Sequence, residues 1–208
     1  LGAHVSIMKN TSMKYGFLVA GMLVAGIANA QSTKIYTPTD ADLGDLDHYY
    51  ATSWGISDAP LPADRQVTGA TLTIKNIYDW KKEDGDILYV TLLDNPPVGI
   101  KTFYDNMVGG DYFAGQGTSI GTWTDPLGGS PRNFNLTFDL GALGLLDELQ
   151  SAMKDGKFGF GFDGDCHYFN DGVKLSVTTA AVPEPASMAA LAIGGLGLLR
   201  RKMKKSAK

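Results

Sequence analysis

The stretch Phe158-Gly159-Phe160-Gly161-Phe162 alternates phenylalanine with glycine at every position. Successive side chains of a β-strand point to opposite faces, so this pattern indicates a strand with three aromatic rings on one face. The other face carries no side chains, and another strand or backbone segment can therefore approach it closely. The stretch predicts a strand with one apolar face and one bare face.

Four further segments alternate apolar and polar residues in the same way: 70–75, 88–92, 133–140 and 173–178. This pattern is typical of half-buried strands in an antiparallel sheet. One helix is predicted where apolar residues recur at helical spacing before an Asp-Gly stop. These residues are Leu145, Leu149, Ala152 and Met153, with the stop at Asp155-Gly156. The sequence therefore predicts a mainly β fold, an antiparallel two-sheet sandwich of jelly-roll-like type with one short helix.

We expect the sandwich to span residues 53–179, which is in the size range of one domain. We expect residues 31–52 to form an irregular N-terminal arm. An edge strand around Tyr49 to Ile56 is the alternative. Residues 180–185 are interpreted as a short linker that contains Pro-Glu-Pro.

The C-terminal part has three sections. Val182-Pro183-Glu184-Pro185 precedes an apolar run over residues 186–199, and Arg200-Arg201-Lys202 follows the run. The prolines favour extended backbone, so a helix can begin after them. The run would reach about 21 Å as a helix, against a hydrocarbon core of about 30 Å. It is short for a permanent anchor, and a single-pass tail anchor is the alternative.

This arrangement resembles the PEP-CTERM sorting signal of Gram-negative bacteria, which has a Pro-Glu-Pro tripeptide, a short hydrophobic helix and a basic end. The resemblance covers the last 27 residues. It implies processing by an exosortase, with an intermediate held in the inner membrane, and a final location at the cell surface or in an extracellular polysaccharide matrix. Residues 186–208 would form the sorting helix and the basic tail.

Three stretches of the middle domain also resemble an uncharacterised domain of other PEP-CTERM proteins. They are residues 113–117, 123–133 and 161–167. This second resemblance supports one β-sandwich domain and implies no particular activity.

Residues 13–30 have the three parts of a secretory signal peptide. Met13-Lys14 provides a positive start, residues 15–27 are apolar, and Ala28-Asn29-Ala30 is a small-x-small cleavage site. We therefore expect a signal helix that is removed before Gln31. Residues 1–12 are interpreted as an upstream extension.

The expected exported segment, residues 31–185, is strongly acidic. Two of the 18 basic residues precede it and six follow it, so 10 remain against 22 acidic residues and the net charge is −12. Nucleic-acid binding needs a basic footprint and is not expected. The negative charge of this segment favours the binding of cations instead.

The stretch 162–172 offers four hard oxygen ligands, Asp163, Asp165, Asn170 and Asp171. Oxygen ligands of this kind are those that calcium prefers, so calcium is the candidate cofactor. The spacing does not match an EF-hand loop. A turn held by Asx hydrogen bonds is the alternative.

Cys166 is the one cysteine of the chain, which excludes an intramolecular disulfide. We expect a buried thiol, with an intermolecular bridge or a lipidation site as the alternative. The adjacent His167 would point to the opposite face of an extended segment. The two side chains are therefore badly placed to share a metal ion.

The leading functional hypothesis is an exported, noncatalytic protein of the cell surface or matrix that associates with polysaccharide. Tyr112 and Trp123 are candidate rings for stacking on sugars, although aromatic residues are more often part of a core.

The alternative is a secreted, glycosidase-like hydrolase. Such an enzyme needs two carboxyl groups about 5 to 10 Å apart. The candidates for this pair are Asp79, Glu83, Asp163 and Asp165. Since no nucleophile motif is present, we expect the protein not to be an enzyme.

Overall fold

The computed structural model describes residues 31–105 and 109–183. The expected signal peptide, with Ala28 and Ala30, lies outside these residues. The same holds for Glu184, Pro185 and the expected sorting helix with its basic end. Within the described residues, no helix is long and apolar enough to cross a membrane.

Eleven strands and one helix form the described part of the chain. In chain order they are β1 (Ser32–Tyr36), β2 (Tyr50–Ser57), β3 (Arg65–Ile74), β4 (Tyr78–Asp79), β5 (Leu88–Asp94), β6 (Gly99–Tyr104), β7 (Gly117–Trp123), β8 (Leu136–Asp139), α1 (Leu146–Ala152), β9 (Lys157–Gly164), β10 (Tyr168–Phe169) and β11 (Val173–Ala181).

The strands form two main sheets and one small pair. The four-stranded sheet has the order β1-β11-β3-β8, the five-stranded sheet has the order β6-β2-β9-β5-β7, and β4 pairs with β10. Every pairing between these strands is antiparallel. The predicted mainly β fold, with two antiparallel sheets and one short helix, is therefore confirmed.

The phenylalanine-glycine strand, β9, lies at the centre of the five-stranded sheet, between β2 and β5. Its three rings, Phe158, Phe160 and Phe162, are fully buried. They share one core cluster with Leu72 and Leu175 of the four-stranded sheet. Because burial of each large side chain is worth about 1.5–3 kcal/mol, β9 contributes strongly to the contact between the sheets.

A second, smaller cluster covers the glycine face of β9. The ring of Phe113 lies so close to Gly161 that a Cβ atom there would be 2.5 Å from the ring. Ala51 and Leu93 belong to the same cluster. The close approach predicted for this face is present: the Phe113 ring makes it at Gly161, and the backbone of Trp54 makes it at Gly159.

The predicted helix is present as α1, which packs mainly against β3. Leu149 and Ala152 are buried, and the Gln150 side chain accepts a hydrogen bond from the Val67 N–H at 2.9 Å. Gly156 follows with a φ of +82°, at the predicted stop. A left-handed backbone of this kind favours glycine, which explains the end of the helical segment.

The prediction of an irregular arm over residues 31–52 is wrong for β1, which pairs with β11 along its whole length. Most of β1 is exposed, including Ile35. Since backbone pairing rather than burial holds this strand, its sequence lacks the apolar alternation that marks a strand. Lys34 and Tyr36 also fix it, by donating to the Asp58 carboxylate at 2.5 and 2.7 Å.

Three further predictions need correction. β2 begins at Tyr50 and lies between β6 and β9, not at an edge of the sheet. β11 continues to Ala181, into the predicted linker, because β3 is long enough to pair with it there. Phe134, expected in a strand, precedes β8 and is 43% exposed.

Candidate functional site

A small concave site lies at the β4–β10 pair. It has a volume of about 240 Å³ and is lined by Asp45, Trp80, His167 and Phe169. We name it the Trp80 site. β4 and β10 have only two residues each, and the Trp80 N–H extends their pairing by donating to the His167 carbonyl at 3.2 Å. This pairing joins segments that are far apart in the chain.

The Trp80 site combines an exposed ring with a hydrogen-bonded pair of polar side chains. Trp80 is 51% exposed, and the His167 ring meets it edge to face with the centroids 5.9 Å apart. His167 Nδ1 lies 2.7 Å from Asp45 Oδ2, and both side chains are about one third exposed. The site thus offers a ligand in solvent an apolar ring, a carboxylate acceptor and an imidazole.

A second imidazole adjoins the Trp80 site. The rings of His48 and His167 are 5.2 Å apart, and Asp47 brings a carboxylate within 4.8 Å of both. These residue types can bind a metal ion. However, the Nδ1 atom of each imidazole already contacts a carboxylate, Asp47 for His48 and Asp45 for His167. Two histidine–carboxylate contacts are therefore sufficient to explain this group.

The residues that directly precede Trp80 and His167 in the chain point into the protein. Asp79 and Cys166 are 0% and 4% exposed, and the Cys166 thiol donates to Asp79 Oδ1 at 3.4 Å. Burial raises the pKa of Cys166 to about 12, and the nearby Asp79 carboxylate adds to the rise. Their neighbours Trp80 and His167 face outward. The predicted burial of Cys166 and its separation from His167 are both confirmed.

Two of the predicted calcium ligands belong to a group that we name the aspartate cluster: Asp105, Asp111, Asp163 and Asp165. The Tyr112 N–H donates to Asp163 Oδ2 at 2.7 Å, and the Gly110 N–H donates to Asp165 Oδ1 at 3.2 Å. Burial raises the pKa of Asp163 to about 6, and the charges of the other three carboxylates add to the rise. The cluster is a place where a cation would relieve repulsion.

The other two predicted calcium ligands have different partners. Asn170 Oδ1 accepts the N–H groups of Gly172 and Leu43, at 3.0 and 3.2 Å. Asp171 Oδ2 accepts from the Asn76 side-chain amide at 2.8 Å. The bond from Gly172 to Asn170 is the Asx type that the sequence analysis gave as the alternative to calcium binding.

The rings predicted to stack on sugars are both engaged with other rings. Tyr112 stacks on Phe103 with the centroids 5.6 Å apart, and Trp123 stacks on Phe134 at the same distance. Both residues are only partly exposed. One face of each ring is therefore already in contact with an aromatic neighbour.

The sequence analysis did not single out Trp80. The signal that would have found it is the turn dipeptide Asp84-Gly85 shortly after the indole, which indicates a surface turn. Its partners in the site were not predictable, because residues 45 and 167 reach it only through the fold.

Comparison with known proteins adds one specific finding. A family model of the PEP-CTERM protein-sorting motif matches residues 181–205. No curated protein matches the chain. Among solved structures, a chain of the crystal structure of tomato aspermy virus is similar at 12% identity over 76% of this chain and 80% of that chain, with a TM-score of 0.25. The sorting motif marks the protein as an exported exosortase substrate that passes through the membrane to the cell surface.

Proposed function

We propose that the exported domain is a noncatalytic carbohydrate-binding domain of the cell surface or the extracellular matrix, and that the Trp80 site holds the sugar. The observation that carries the proposal is the half-exposed indole of Trp80 beside the Asp45–His167 pair. Ligand sites in proteins are commonly concave and apolar, with a few polar groups that fix orientation. The Trp80 site has these parts at the protein surface.

The chemistry of a sugar ring matches this arrangement. A pyranose has an apolar C–H face and a rim of hydroxyl groups, so it can lie on an indole while its hydroxyls reach polar side chains. Asp45 supplies an acceptor, and the His167 imidazole supplies a donor or an acceptor according to its tautomer. Phe169 adds apolar area to the wall. The volume of about 240 Å³ is small, so the site would hold only a short part of a longer chain.

The negative charge of the exported segment limits the classes of polysaccharide that the protein would bind. With 10 basic and 22 acidic residues between positions 31 and 185, the protein repels polyanions such as uronic-acid polymers. Neutral polysaccharides and polymers of protonated amino sugars do not meet this repulsion. We therefore expect the ligand to belong to one of these two classes.

Burial of two of the four candidate acids supports a noncatalytic role, while Glu83 is exposed and Asp165 is partly exposed. Asp79 and Asp163 are 0% and 1% exposed, so a polymer in solvent does not reach their carboxylates. Glu83 is exposed and pairs with Lys81 at 2.8 Å. A glycosidase needs two carboxyl groups that face the same glycosidic bond. The alternative of a secreted hydrolase has less support than the binding role for this reason.

Glycan-array binding of the purified protein tests the proposal. We expect wild-type protein to bind neutral or amino-sugar polysaccharides, and Trp80→Ala to lower the affinity at least about tenfold, which corresponds to about 1.4 kcal/mol. Tyr104→Ala is the matched control, because Tyr104 is a more exposed aromatic residue outside the Trp80 site. Its affinity should equal that of the wild type.

Two results would contradict the proposal. One is that the folded wild-type protein binds no polysaccharide on the array. The other is that Trp80→Ala and Tyr104→Ala bind alike. Release of reducing sugar from the bound polymer would favour the hydrolase.

A further inference from the structure

Three buried side chains with metal-binding atoms meet on the inner side of the β4–β10 pair. Asp79, Asp86 and Cys166 are 0%, 6% and 4% exposed. One ligand atom of each lies within 4.8 Å of the other two. We name these residues the buried triad. Asp86 reaches it from the turn before β5, where its Oδ2 also accepts the Glu83 N–H at 2.6 Å.

Two polar atoms at the triad lack a hydrogen-bond partner within the described part of the chain. They are Asp79 Oδ2 and the Tyr168 hydroxyl, and both residues are fully buried. Tyr168 and Cys166 belong to the same buried core cluster and are two residues apart in the chain. Buried polar groups are nearly always paired. The Asp79 oxygen therefore needs either a proton shared with the Asp86 carboxyl group or a bound cation, and the Tyr168 hydroxyl needs a partner of its own.

The cation on the same turn does not supply that partner. Lys81 is largely exposed, and its Nζ pairs with Glu83 at 2.8 Å. Arg132 instead contacts Asp125, which in turn accepts the Asp79 backbone N–H at 3.2 Å. The carboxylates of Asp79 and Asp86 thus face each other without an intervening basic side chain from either segment.

The spacing of the triad suits a tetrahedral metal ion. Zinc binds cysteine sulfur at about 2.3 Å and carboxylate oxygen at about 2.0 Å, so these two ligands are about 3.5 Å apart in a tetrahedral site. Cys166 Sγ and Asp79 Oδ1 are 3.4 Å apart. One ligand atom of Asp86 lies within 4.8 Å of both, so Asp86 would have to move slightly closer if its distances exceed the separation of about 3.5 Å in a tetrahedral site.

We propose that the buried triad binds one zinc ion through carboxylate oxygens of Asp79 and Asp86 and the thiolate of Cys166. The fourth position would be left to a water molecule or to the hydroxyl of Tyr168, which is buried in the same core cluster as Cys166. The thiol proton leaves to solvent when the sulfur binds the metal. A sulfur ligand selects zinc over calcium and magnesium, which take oxygen ligands.

This zinc site has a structural role that is independent of sugar binding. Asp79 precedes Trp80 and Cys166 precedes His167. An ion held by both segments joins them on the inner side, while only short backbone pairing joins them on the outer side. Zinc would therefore stabilise the local geometry at the surface.

Metal analysis and thermal unfolding of the full-length protein, purified after growth with zinc, test the proposal. We expect about one zinc per chain. Stripping the metal with a strong chelator should lower the Tm by about 5–10 °C relative to protein with free zinc at about 100 times its Kd, and zinc should restore it while calcium should not. Cobalt in place of zinc should give a thiolate-to-metal charge-transfer band.

Three variants locate the ion. Cys166→Ser should abolish the cobalt charge-transfer band and most of the zinc binding. Asp79→Asn should also lose zinc, although it keeps the volume of the side chain and its folding is checked by circular dichroism. His48→Ala is the control, since it removes a ligand from the other group of candidate metal ligands while the triad remains intact.

The results separate zinc binding from its rivals. If the folded wild-type protein holds no zinc and shows no cobalt band, the proposal is wrong. If Asp79→Asn is at least as stable as the wild type with and without zinc, the two carboxyl groups simply share a proton. If His48→Ala loses the zinc and Cys166→Ser keeps it, the ion lies at the surface histidines and the triad does not bind it.

Discussion

Asp163 lies inside the protein although its sequence context is that of a turn. It is 1% exposed, and the Tyr112 N–H donates to it. Asp163 continues the alternation of the phenylalanine-glycine strand on the glycine face, where residues 109–113 cover it. The sequence alone predicted an oxygen ligand at this position. It did not predict the burial, because the covering loop is distant in the chain.

The raised pKa of Asp163 predicts that metal-free protein becomes more stable as the pH falls from 8 to about 5. Its pKa is about 6 in the folded protein against 3.8 for an ordinary aspartate side chain, so the folded state binds more protons in this window. The stability from this group is complete below pH 3.8 and is lost as the pH rises through 6. The gain should be on the order of 1 kcal/mol between pH 8 and 5.

Urea unfolding at several pH values measures this gain, with Asp163→Asn as the comparison. The variant should gain less than the wild type, because its amide does not titrate. Below about pH 4 both proteins should lose stability. Burial alone would raise the pKa values of Asp58 and Asp125, but the hydrogen bonds that their carboxylates accept outweigh burial and lower both pKa values. The stabilisation by these two carboxylates is therefore lost when acid protonates them. Equal gains in both proteins would show that Asp163 is not the titrating group.

Among the strands, β9 and β1 show which features a sequence reveals. β9 is visible in the sequence because burial imposes an alternation of large and small residues. β1 is held by pairing with β11, and backbone hydrogen bonds leave no pattern in the side chains. The two-residue strands β4 and β10 are too short to show any period. This is the physical reason that the Trp80 site and the buried triad were not predicted.

The close contact on β9 predicts that Gly161→Ala destabilises the protein. A Cβ atom at this position would lie 2.5 Å from the Phe113 ring, so the buried ring has to move. We expect a loss of about 1–3 kcal/mol in the free energy of unfolding, measured with urea. Gly69→Ala is the matched control in β3, because the nearest atom to its new Cβ would be 3.9 Å away. A double variant with Phe113→Ala should recover part of the loss.

If Gly161→Ala and Gly69→Ala had the same small effect, the Phe113 ring would not be packed on the glycine face. Failure of Phe113→Ala to change the cost of Gly161→Ala would point to the same conclusion. The double-mutant cycle of Gly161→Ala and Phe113→Ala therefore separates this one contact from the effect that replacing any strand glycine has on the unfolded chain.

For the molecule as a whole, periodicity was sufficient to predict the class of fold, and the resemblance of the C-terminal stretch predicted the sorting signal. The meeting of distant segments was not predictable from either. The apolar alternation of five segments encodes two sheets, and the sorting motif lies in one continuous stretch. The aspartate cluster instead joins residues 105, 111, 163 and 165 across loops and strands. Only the fold brings these charges together, within a segment, residues 31–185, that is already acidic.

This concentration of negative charge predicts that calcium stabilises the protein beyond the effect of salt. Millimolar calcium added to protein at pH 8 after treatment with EGTA should raise the Tm by about 3–6 °C if calcium is at about ten times its Kd. Sodium chloride at matched ionic strength screens the overall charge and separates that effect from specific binding. Asp163→Asn should remove the specific part and keep the response to salt. Equal shifts with calcium and sodium chloride would instead show that the aspartate cluster holds no calcium, and that the acidic surface responds to cations only through screening.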